Sequence, residues 1–207
     1  MSEFKIVIIE DEAIIAQNIA VYLNNNDFTV SAIAYDAEEA ITLLTEHAPD
    51  AAILDINLDS EMDGIQIAEF INRNLHIPFL YLTSHADKET LERAKKTEPS
   101  GYIVKPFNEK TLLATLEIAI SNFAQKNNRQ VPSISMDKIN KHLISQVSER
   151  EFDVLAQIYA GKPNMQIAAD LFVSVNTIKK HINNVYIKLD VNSRSTAIAR
   201  LRELMLK

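Results

Sequence analysis

Cysteine is absent from this 207-residue chain. Its absence excludes a disulfide-stabilised secreted scaffold and any metal site built on thiolates. A run of about 18 apolar residues, the least that spans a bilayer, occurs nowhere. The first residues also lack the basic segment and apolar run of a secretory signal. We therefore expect a cytoplasmic protein with no membrane partner, long enough for one or two domains.

Acidic residues are concentrated in the first part of the chain, whereas basic residues dominate the rest. Residues 1–124 hold 8 Lys or Arg and 21 Asp or Glu, a net charge of −13; residues 125–207 hold 13 and 7, a net charge of +6. Because phosphates are neutralised by basic side chains, only the second part is suited to bind a polyanion such as nucleic acid. Two domains of opposite charge that simply attract each other are the alternative explanation.

Short apolar runs alternate with longer amphipathic stretches in the first part. Such runs are typical of parallel strands that are buried on both faces. Five strand–helix units with right-handed crossovers predict an α/β fold, a five-stranded doubly wound parallel sheet with helices on both faces. The spacing of Asp36 and Glu39 resembles a capping box at one helix start. We predict strands at 4–9, 28–34, 51–54, 79–82 and 101–104, and helices at about 11–26, 36–48, 64–74, 87–97 and 108–124.

Charged and polar residues follow these strands at their carboxyl ends, where such sheets bind ligands. Glu10 and Asp11 follow the first strand, Asp55 the third, Thr83 the fourth and Lys105 the fifth. Three carboxylates from adjacent strands repel one another unless a cation lies between them, and oxygen ligands without nearby His or Cys favour Mg²⁺. The hydroxyl and the ammonium can hold anionic oxygens. The combination suits a phosphoryl group.

Phosphoryl transfer depends mainly on positioning and charge neutralisation. Asp55 is the predicted nucleophile, which would form an aspartyl phosphate. Glu10 and Asp11 would hold Mg²⁺ directly or through water, and the backbone carbonyl of Asn57 could complete the coordination. Lys105 would pair with phosphate oxygens. Taken singly, each residue has an ordinary explanation as a helix cap, a turn or a surface group, so only the joint placement favours this chemistry.

A polar, weakly periodic stretch at 125–147 predicts a linker between a domain at 1–124 and a small all-α domain at 148–207. Short structure is expected within it, near 136–143. Ser148 begins the second domain, with a capping-box spacing to the glutamate three residues later.

The second domain contains two predicted helices, at 164–171 and from Ser174 to about 189, joined by a tight turn. The apolar stripe of the latter helix must face a core. Its other face offers Lys for phosphates or guanine edges, Asn for adenine and Thr for phosphate or thymine methyl groups. This pattern matches a helix-turn-helix, although an ordinary solvated helix can show it too. The stripe is Ile178, Ile182, Val185 and Leu189; the polar face is Asn176, Thr177, Lys179, Lys180, Asn183 and Asn184.

Residues 4–122 resemble a receiver domain of two-component signalling. The resemblance implies a flavodoxin-like fold, a sensor histidine kinase that donates phosphate to Asp55, and a homodimer of the phosphorylated protein. It also implies a switch in which Thr83 and Tyr102 shift when phosphate arrives, although ordinary packing at the sheet explains Tyr102 equally well. The matching motifs are Glu10-Asp11, Asp55, Thr83 and Lys105-Pro106-Phe107.

The loop after Asp55 departs from the receiver pattern. Receivers commonly have a proline four residues after the phosphorylated Asp and a glycine four residues later. Here Asp59 occupies the proline position, and Gly64 lies nine residues after Asp55. The loop is one residue longer and more acidic, which puts in question both the Asn57 carbonyl as a metal ligand and the lifetime of the phosphorylated state.

Five motifs occur along the second domain: Ser148-Glu149-Arg150-Glu151, Asn164-x-x-Ile167-Ala168, Ser174-x-x-Thr177-Ile178-Lys179-x-His181, Lys188-Leu189 and Asn192-x-Arg194. With these motifs, residues 148–206 resemble the LuxR/NarL type of DNA-binding domain. The resemblance implies four helices, the third of which enters double-stranded DNA, with Lys188 near the DNA backbone and a fourth helix at about 193–205 that commonly pairs in a dimer. His181 has no second His at ligand spacing, so it is a phosphate contact or a packing residue rather than a metal ligand. The predicted DNA-binding residues are Ser174, Asn176, Thr177, Lys179, Lys180, His181, Asn183 and Lys188.

These features together predict a non-enzymatic response regulator in which phosphorylation of Asp55 controls DNA binding and transcription. A second hypothesis is a regulator whose receiver works without phosphorylation. A third is a phosphatase-like enzyme that turns over at Asp55. Such hydrolases usually carry a general-acid Asp two residues after the nucleophile, and Asn57 lacks that proton.

Overall fold

The computed structural model describes residues 4–26, 28–84, 87–128 and 133–206. Lys5–Ile120 forms one compact unit, and Ser121–Lys207 with the start of the chain belongs to a second. The predicted domain and linker boundaries remain predictions, and 129–132 of that linker, with 1–3 and 207, lie outside the described residues. In the described part of the chain, no helix combines the length and apolar character needed to cross a bilayer.

The first unit is built on one five-stranded sheet with strand order β2-β1-β3-β4-β5. β1 and β3, β3 and β4, and β4 and β5 pair in parallel. The order reverses direction beside β1 and β3, and this reversal opens a crevice at their carboxyl ends. The strands are β1 (Phe4–Ile9), β2 (Phe28–Ala34), β3 (Ala51–Asp55), β4 (Phe79–Thr83) and β5 (Gly101–Val104).

Burial of the strands follows their place in the sheet. All residues of β3 and β4 are buried, whereas the interior of the edge strand β2 is only partly so. Five helices connect and cover the strands, which confirms the predicted doubly wound α/β fold. They are α1 (Ala13–Asn24), α2 (Ala37–His47), α3 (Gly64–Asn74), α4 (Lys88–Lys96) and α5 (Glu109–Asn128).

The start of α2 differs in one hydrogen bond from a complete capping box. The Asp36 side chain accepts a hydrogen bond from the Glu39 N–H at 2.9 Å. The Glu39 carboxylate accepts from the Tyr35 N–H at 2.9 Å, one residue before the position that the box requires. Each side chain still satisfies a backbone donor at the helix start, so the cap is stabilising in either arrangement.

The second unit is helical throughout its described secondary structure. Its core includes the predicted apolar stripe, of which Ile178, Ile182, Val185 and Leu189 are at most 2% exposed. The predicted capping box is present, with Ser148 and Glu151 bonding each other's backbone N–H. The helices are α6 (Met136–Lys141), α7 (Glu149–Tyr159), α8 (Asn164–Asp170), α9 (Val175–Leu189) and α10 (Arg194–Leu206).

Candidate functional site

Strand register brings the predicted site residues to one edge of the sheet. Ile9 pairs with Leu54, so the next residues along β1 and β3, Glu10 and Asp55, lie level with each other. Asp55 in turn pairs with Leu82, immediately before Thr83. The Lys105 N–H donates to the Thr83 carbonyl at 2.8 Å, which extends the β4–β5 pairing to the lysine. The parallel topology therefore gathers residues that are up to 95 positions apart in the chain.

Three carboxylates meet at this edge, namely those of Glu10, Asp11 and Asp55. One oxygen from each lies within 4.8 Å of the others. Glu10 is fully buried and Asp55 is 5% exposed. Lys105 Nζ lies 2.5 Å from Asp55 Oδ2 and 2.8 Å from Glu10 Oε1. When all three carboxylates are ionised, they carry two more negative charges than Lys105 neutralises, which suits a divalent cation.

The protonation of the cluster reflects its burial. Burial raises the pKa of Glu10 to about 7, against the opposing effect of its hydrogen bond from Lys105. Burial alone would lower the pKa of Lys105, but hydrogen bonds to Asp55 and Glu10 outweigh it and raise that pKa. The lysine is therefore a permanent cation at neutral pH, and the acidic site is built around it.

Asp55 is held through both carboxylate oxygens. Oδ2 contacts Lys105, and Oδ1 accepts a hydrogen bond from the Asn57 N–H at 2.9 Å. The Asn57 N–H therefore helps to position the predicted nucleophile. The role of the Asn57 carbonyl as a metal ligand stays a prediction. Fixed oxygens matter because in-line phosphoryl transfer depends on the orientation of the attacking atom.

Gly64 closes the loop that follows Asp55. Its N–H donates to the Ile56 carbonyl at 3.0 Å. A Cβ at this position would lie 1.9 Å from the backbone oxygen of Asp55, a separation that no side chain can adopt. Within the longer acidic loop, Ser60 Oγ donates to the Met62 carbonyl at 2.7 Å, and the Asp59 N–H donates to Asp11 Oδ2 at 3.4 Å. The loop therefore holds one more residue than the usual receiver pattern, and Gly64 still packs against the backbone of Asp55.

Two hydroxyls on the β4–β5 side have no hydrogen-bond partner among the described residues. They are Thr83 Oγ1 and Tyr102 Oη, and both atoms are buried. Thr83 itself is 7% exposed. A buried hydroxyl without a partner is costly, and it is available as a donor to an anion that enters the site.

On α9 the predicted DNA-binding residues fall into three groups. Asn176, Lys180 and Asn183 are exposed, as is Ser174, whereas Thr177, Lys179 and His181 are partly buried. Ser174 caps the helix by accepting from the Thr177 N–H at 3.2 Å, and the two hydroxyls lie 2.9 Å apart. Lys188 forms the third group, because its side chain is engaged within the domain.

Lys188 connects α9 to the start of α7. Its Nζ lies 2.7 Å from Glu151 Oε2 and 2.8 Å from the Gln146 carbonyl. Burial by itself would raise the pKa of Glu151, but the hydrogen bonds from Lys188 and Ser148 outweigh it and lower that pKa. Sequence reasoning assigned Glu151 only to a helix cap, because nothing in the sequence signals a partner 37 residues away.

A buried pair that joins β4 to the end of α4 was also missed by sequence reasoning. The hydroxyls of Tyr81 and Thr97 lie 2.8 Å apart. Tyr81 lies within a continuous apolar strand, where a tyrosine is indistinguishable by pattern from the aliphatic residues around it. Only the position of α4 over the strand reveals the contact.

Comparison with known proteins identifies this arrangement. Residues 6–117 match the family model described as the response regulator receiver domain. The chain belongs to the response regulators. Residues 145–201 match the model described as bacterial regulatory proteins of the LuxR family.

Relatives that match this chain over nearly its whole length, and over nearly all of their own, support this assignment. The transcriptional regulatory protein YhcZ of Bacillus subtilis is 30% identical over 204 residues, which is 93% of this chain and 92% of that protein. The oxygen regulatory protein NreC of Staphylococcus haemolyticus is 29% identical over 201 residues, 92% and 93% of the two chains. The crystal structure of the signal receiver domain of a modulated diguanylate cyclase from Desulfovibrio desulfuricans covers 59% of this response regulator and 97% of that chain, with 30% identity and a TM-score of 0.56.

The family assignment confirms the predicted two-component response regulator, with a receiver fold and a LuxR-type helix-turn-helix that serve transcription regulation by phosphorylation. Receiver domains generally bind Mg²⁺ at an acidic pocket, and the cluster of Glu10, Asp11 and Asp55 provides such a pocket here. A histidine kinase and DNA are the partners that these two domains imply.

Proposed function

We propose that Asp55 is the phosphoacceptor of this response regulator, and that its phosphorylation by a sensor histidine kinase controls homodimer formation and binding to double-stranded DNA. The observation that carries the proposal is the contact of the Lys105 ammonium with Asp55 Oδ2 at 2.5 Å, within a group of three carboxylates of which two are buried. A purely structural ion pair would need one carboxylate, whereas this cluster retains excess negative charge for a metal to neutralise.

In the transfer step, an Asp55 carboxylate oxygen attacks the phosphorus of a phosphohistidine. A new P–O bond forms as the P–N bond breaks, and the histidine nitrogen keeps the electron pair of that bond. The Asn57 N–H and Lys105 orient the attacking carboxylate. Glu10, Asp11, Asp55 and the Asn57 carbonyl would hold Mg²⁺, which supplies charge neutralisation for the phosphoryl oxygens when bound.

After transfer the neighbouring groups exchange partners. Lys105 follows the negative charge from the free carboxylate to a phosphoryl oxygen. The Thr83 hydroxyl donates to a second phosphoryl oxygen, because it has no competing partner within the described residues. Tyr102 then moves into the space that Thr83 vacates. This exchange biases the face of the receiver that forms the homodimer.

On the DNA-binding side, we propose that α9 enters the major groove. Lys179, Lys180 and Asn183 lie nearest the bases in this arrangement, with Asn176 and His181 beside them. Ser174 caps α9 by accepting from the Thr177 N–H, and the two hydroxyls at this helix start would face a phosphate. Lys188 would reach the DNA backbone from its position beside Glu151. With DNA as its partner, we expect the protein to act in the cytoplasm.

The test uses the full-length protein with Mg²⁺ and acetyl phosphate as the phosphodonor. Mass spectrometry locates the phosphate, and sedimentation and DNA titration measure dimer formation and affinity before and after treatment. We expect phosphate on Asp55 in the wild type and in Asp59→Asn, a matched control that removes an exposed carboxylate of the same loop. Asp55→Asn should carry none.

Two results would favour the alternatives. DNA binding and dimer formation that are the same in Asp55→Asn and in treated wild type would indicate a phosphorylation-independent regulator. Sustained hydrolysis of a small phosphoester with Mg²⁺, lost in Asp55→Asn, would indicate a phosphatase.

A further inference from the structure

The middle of β4 is joined to the end of α4 by a directional chain of hydrogen bonds. Tyr81 is fully buried and Thr97 is 4% exposed. Thr97 Oγ1 donates to the Ala94 carbonyl at 2.7 Å. Because a threonine hydroxyl has a single proton, Thr97 must accept from Tyr81, whose hydroxyl lies 2.8 Å away. The chain therefore runs from the tyrosine of the sheet to a carbonyl in the last turn of α4.

This connection is a main attachment of α4 to the rest of the domain. Of the residues Lys88–Lys96, only Ala94 is buried, so the helix gains little from apolar burial. Thr97, the C-cap of α4, also accepts at its backbone oxygen from Asn72 Nδ2 of α3 at 2.7 Å. The exposed ion pair of Arg93 with Asp63 adds little, since both side chains are at least 30% exposed. A helix with so few buried apolar side chains depends on its buried polar contacts to keep its position.

Tyr81 lies beside both residues of the proposed switch. It precedes Thr83 by two positions on β4, and residues two apart on a strand share a face. It is the register partner of Tyr102 on β5, and the two ring centroids are 5.7 Å apart. Of these three hydroxyls, only that of Tyr81 has a partner among the described residues; the other two are buried without one.

We propose that Tyr81 is a positioning residue whose hydrogen bond to Thr97 holds α4 beside Tyr102 in the unphosphorylated state and opposes the switch. The inference rests on the proposed function, since it concerns how readily Asp55 accepts a phosphoryl group. Tyr81 acts through α4 and Tyr102 and does not touch the phosphoryl group. The bond is present together with the contact of Lys105 with the Asp55 carboxylate. Its removal therefore weakens this arrangement relative to any state in which the bond is broken.

The experiment compares variants that break the hydrogen bond with variants that keep it. Tyr81→Phe and Thr97→Val each remove one hydroxyl at nearly constant shape, and Thr97→Ser retains the hydroxyl. Tyr35→Phe is a matched control, because its hydroxyl makes an exposed contact with Gln17 at 3.3 Å at the end of β2. Full-length proteins are incubated with Mg²⁺ and acetyl phosphate. An Asp55 oxygen attacks phosphorus, the bridging P–O bond breaks, and acetate leaves with its electron pair.

We expect Tyr81→Phe and Thr97→Val to accept phosphate about 2- to 10-fold faster than the wild type, which corresponds to the loss of one buried hydrogen bond. Their dimer fraction without phosphodonor should also rise. Thr97→Ser and Tyr35→Phe should match the wild type. A purely structural role for Tyr81 would lower the midpoint of thermal unfolding and leave the phosphorylation rate unchanged.

The outcomes separate the inference from the proposed function. A wild type that incorporates no phosphate at Asp55 overturns both. A phosphorylated wild type with an unchanged or slower rate in Tyr81→Phe overturns the inference alone. If Tyr81→Phe does not fold, the comparison of Thr97→Val with Thr97→Ser decides in the same way.

Discussion

The acidic cluster of the receiver and the polar face of α9 place functional groups in opposite environments. At the cluster, Glu10 and Asp55 are buried, and the half-buried Lys105 contacts both of them at 2.5 to 2.8 Å. On α9, Lys180 and Asn183 are exposed to solvent. A buried charged group must be compensated by its neighbours, so its partners are part of the fold. An exposed charged group stays hydrated and costs little free energy to keep, so the fold does not require a partner for it. Function and stability are therefore coupled at the cluster and separable on α9.

Replacing Lys105 with Met is the strongest test of that coupling. The change removes the cation from three carboxylates, two of them buried, at nearly constant length. We expect a loss of about 3 to 5 kcal/mol in the free energy of unfolding at neutral pH, measured by urea denaturation without metal. Mg²⁺ should restore more stability to this variant than it adds to the wild type. A variant as stable as the wild type would show that the cluster does not depend on its lysine.

Gly64→Ala should have the next largest effect. The new Cβ would lie 1.9 Å from the Asp55 backbone oxygen, which can be relieved only by moving the main chain of the nucleophile. We expect a loss of about 3 kcal/mol in urea denaturation and slower phosphorylation of Asp55.

Gly101→Ala is the control for this change. Its Cβ would approach Leu80 Cδ2 at 2.8 Å, and that flexible side-chain end can move away. If both alanine variants lost the same free energy of unfolding, the close contact of Gly64 with the Asp55 backbone would not explain the effect of Gly64→Ala.

The sequence predicted the strands and the cluster for one physical reason. Strands buried on both faces are continuous apolar runs, and parallel topology forces the residues that follow them to one edge. All five predicted strands start at the observed residue, and Glu10, Asp11, Asp55 and Lys105 meet as expected. The end of α5 was less predictable. It reaches Asn128 rather than 124, because the last turn is polar and carries no apolar periodicity.

Contacts between polar residues of different elements could not be predicted. Tyr81 with Thr97 and Lys188 with Glu151 depend on how helices pack, and polar residues in a helix or strand carry no sign of their partner. The Tyr81–Thr97 pair is buried and the Lys188–Glu151 pair is partly buried, so we expect the loss of either contact to reduce stability.

Lys188→Met tests an intermediate case on α9, because this lysine is only partly buried. The lysine holds the Glu151 carboxylate, which is 8% exposed, so we expect a loss of about 1 to 2 kcal/mol in unfolding free energy at pH 7. The pKa of Glu151 is lowered in the folded protein. Its stabilising contribution is therefore present above the unfolded pKa of about 4.3 and is lost as the pH falls through the folded value.

The difference between Lys188→Met and the wild type should accordingly shrink as urea denaturation is repeated from pH 7 towards pH 3. A difference that stays constant over this range would show that the pair with Glu151 is not its source. Loss of DNA affinity in a Lys188→Met protein that is fully folded would add a DNA contact to this internal role.

Lys180→Met should have the smallest effect on stability and a large one on DNA binding, because its side chain is exposed on the polar face of α9. We expect an unfolding free energy within about 0.5 kcal/mol of the wild type. The affinity for operator DNA should fall, and if the ammonium contacts a phosphate, the slope of log affinity against log salt should decrease by about one. An unchanged affinity and slope would remove Lys180 from the interface. A large loss of stability would instead show that exposure on α9 does not separate function from folding, which is the contrast with Lys105.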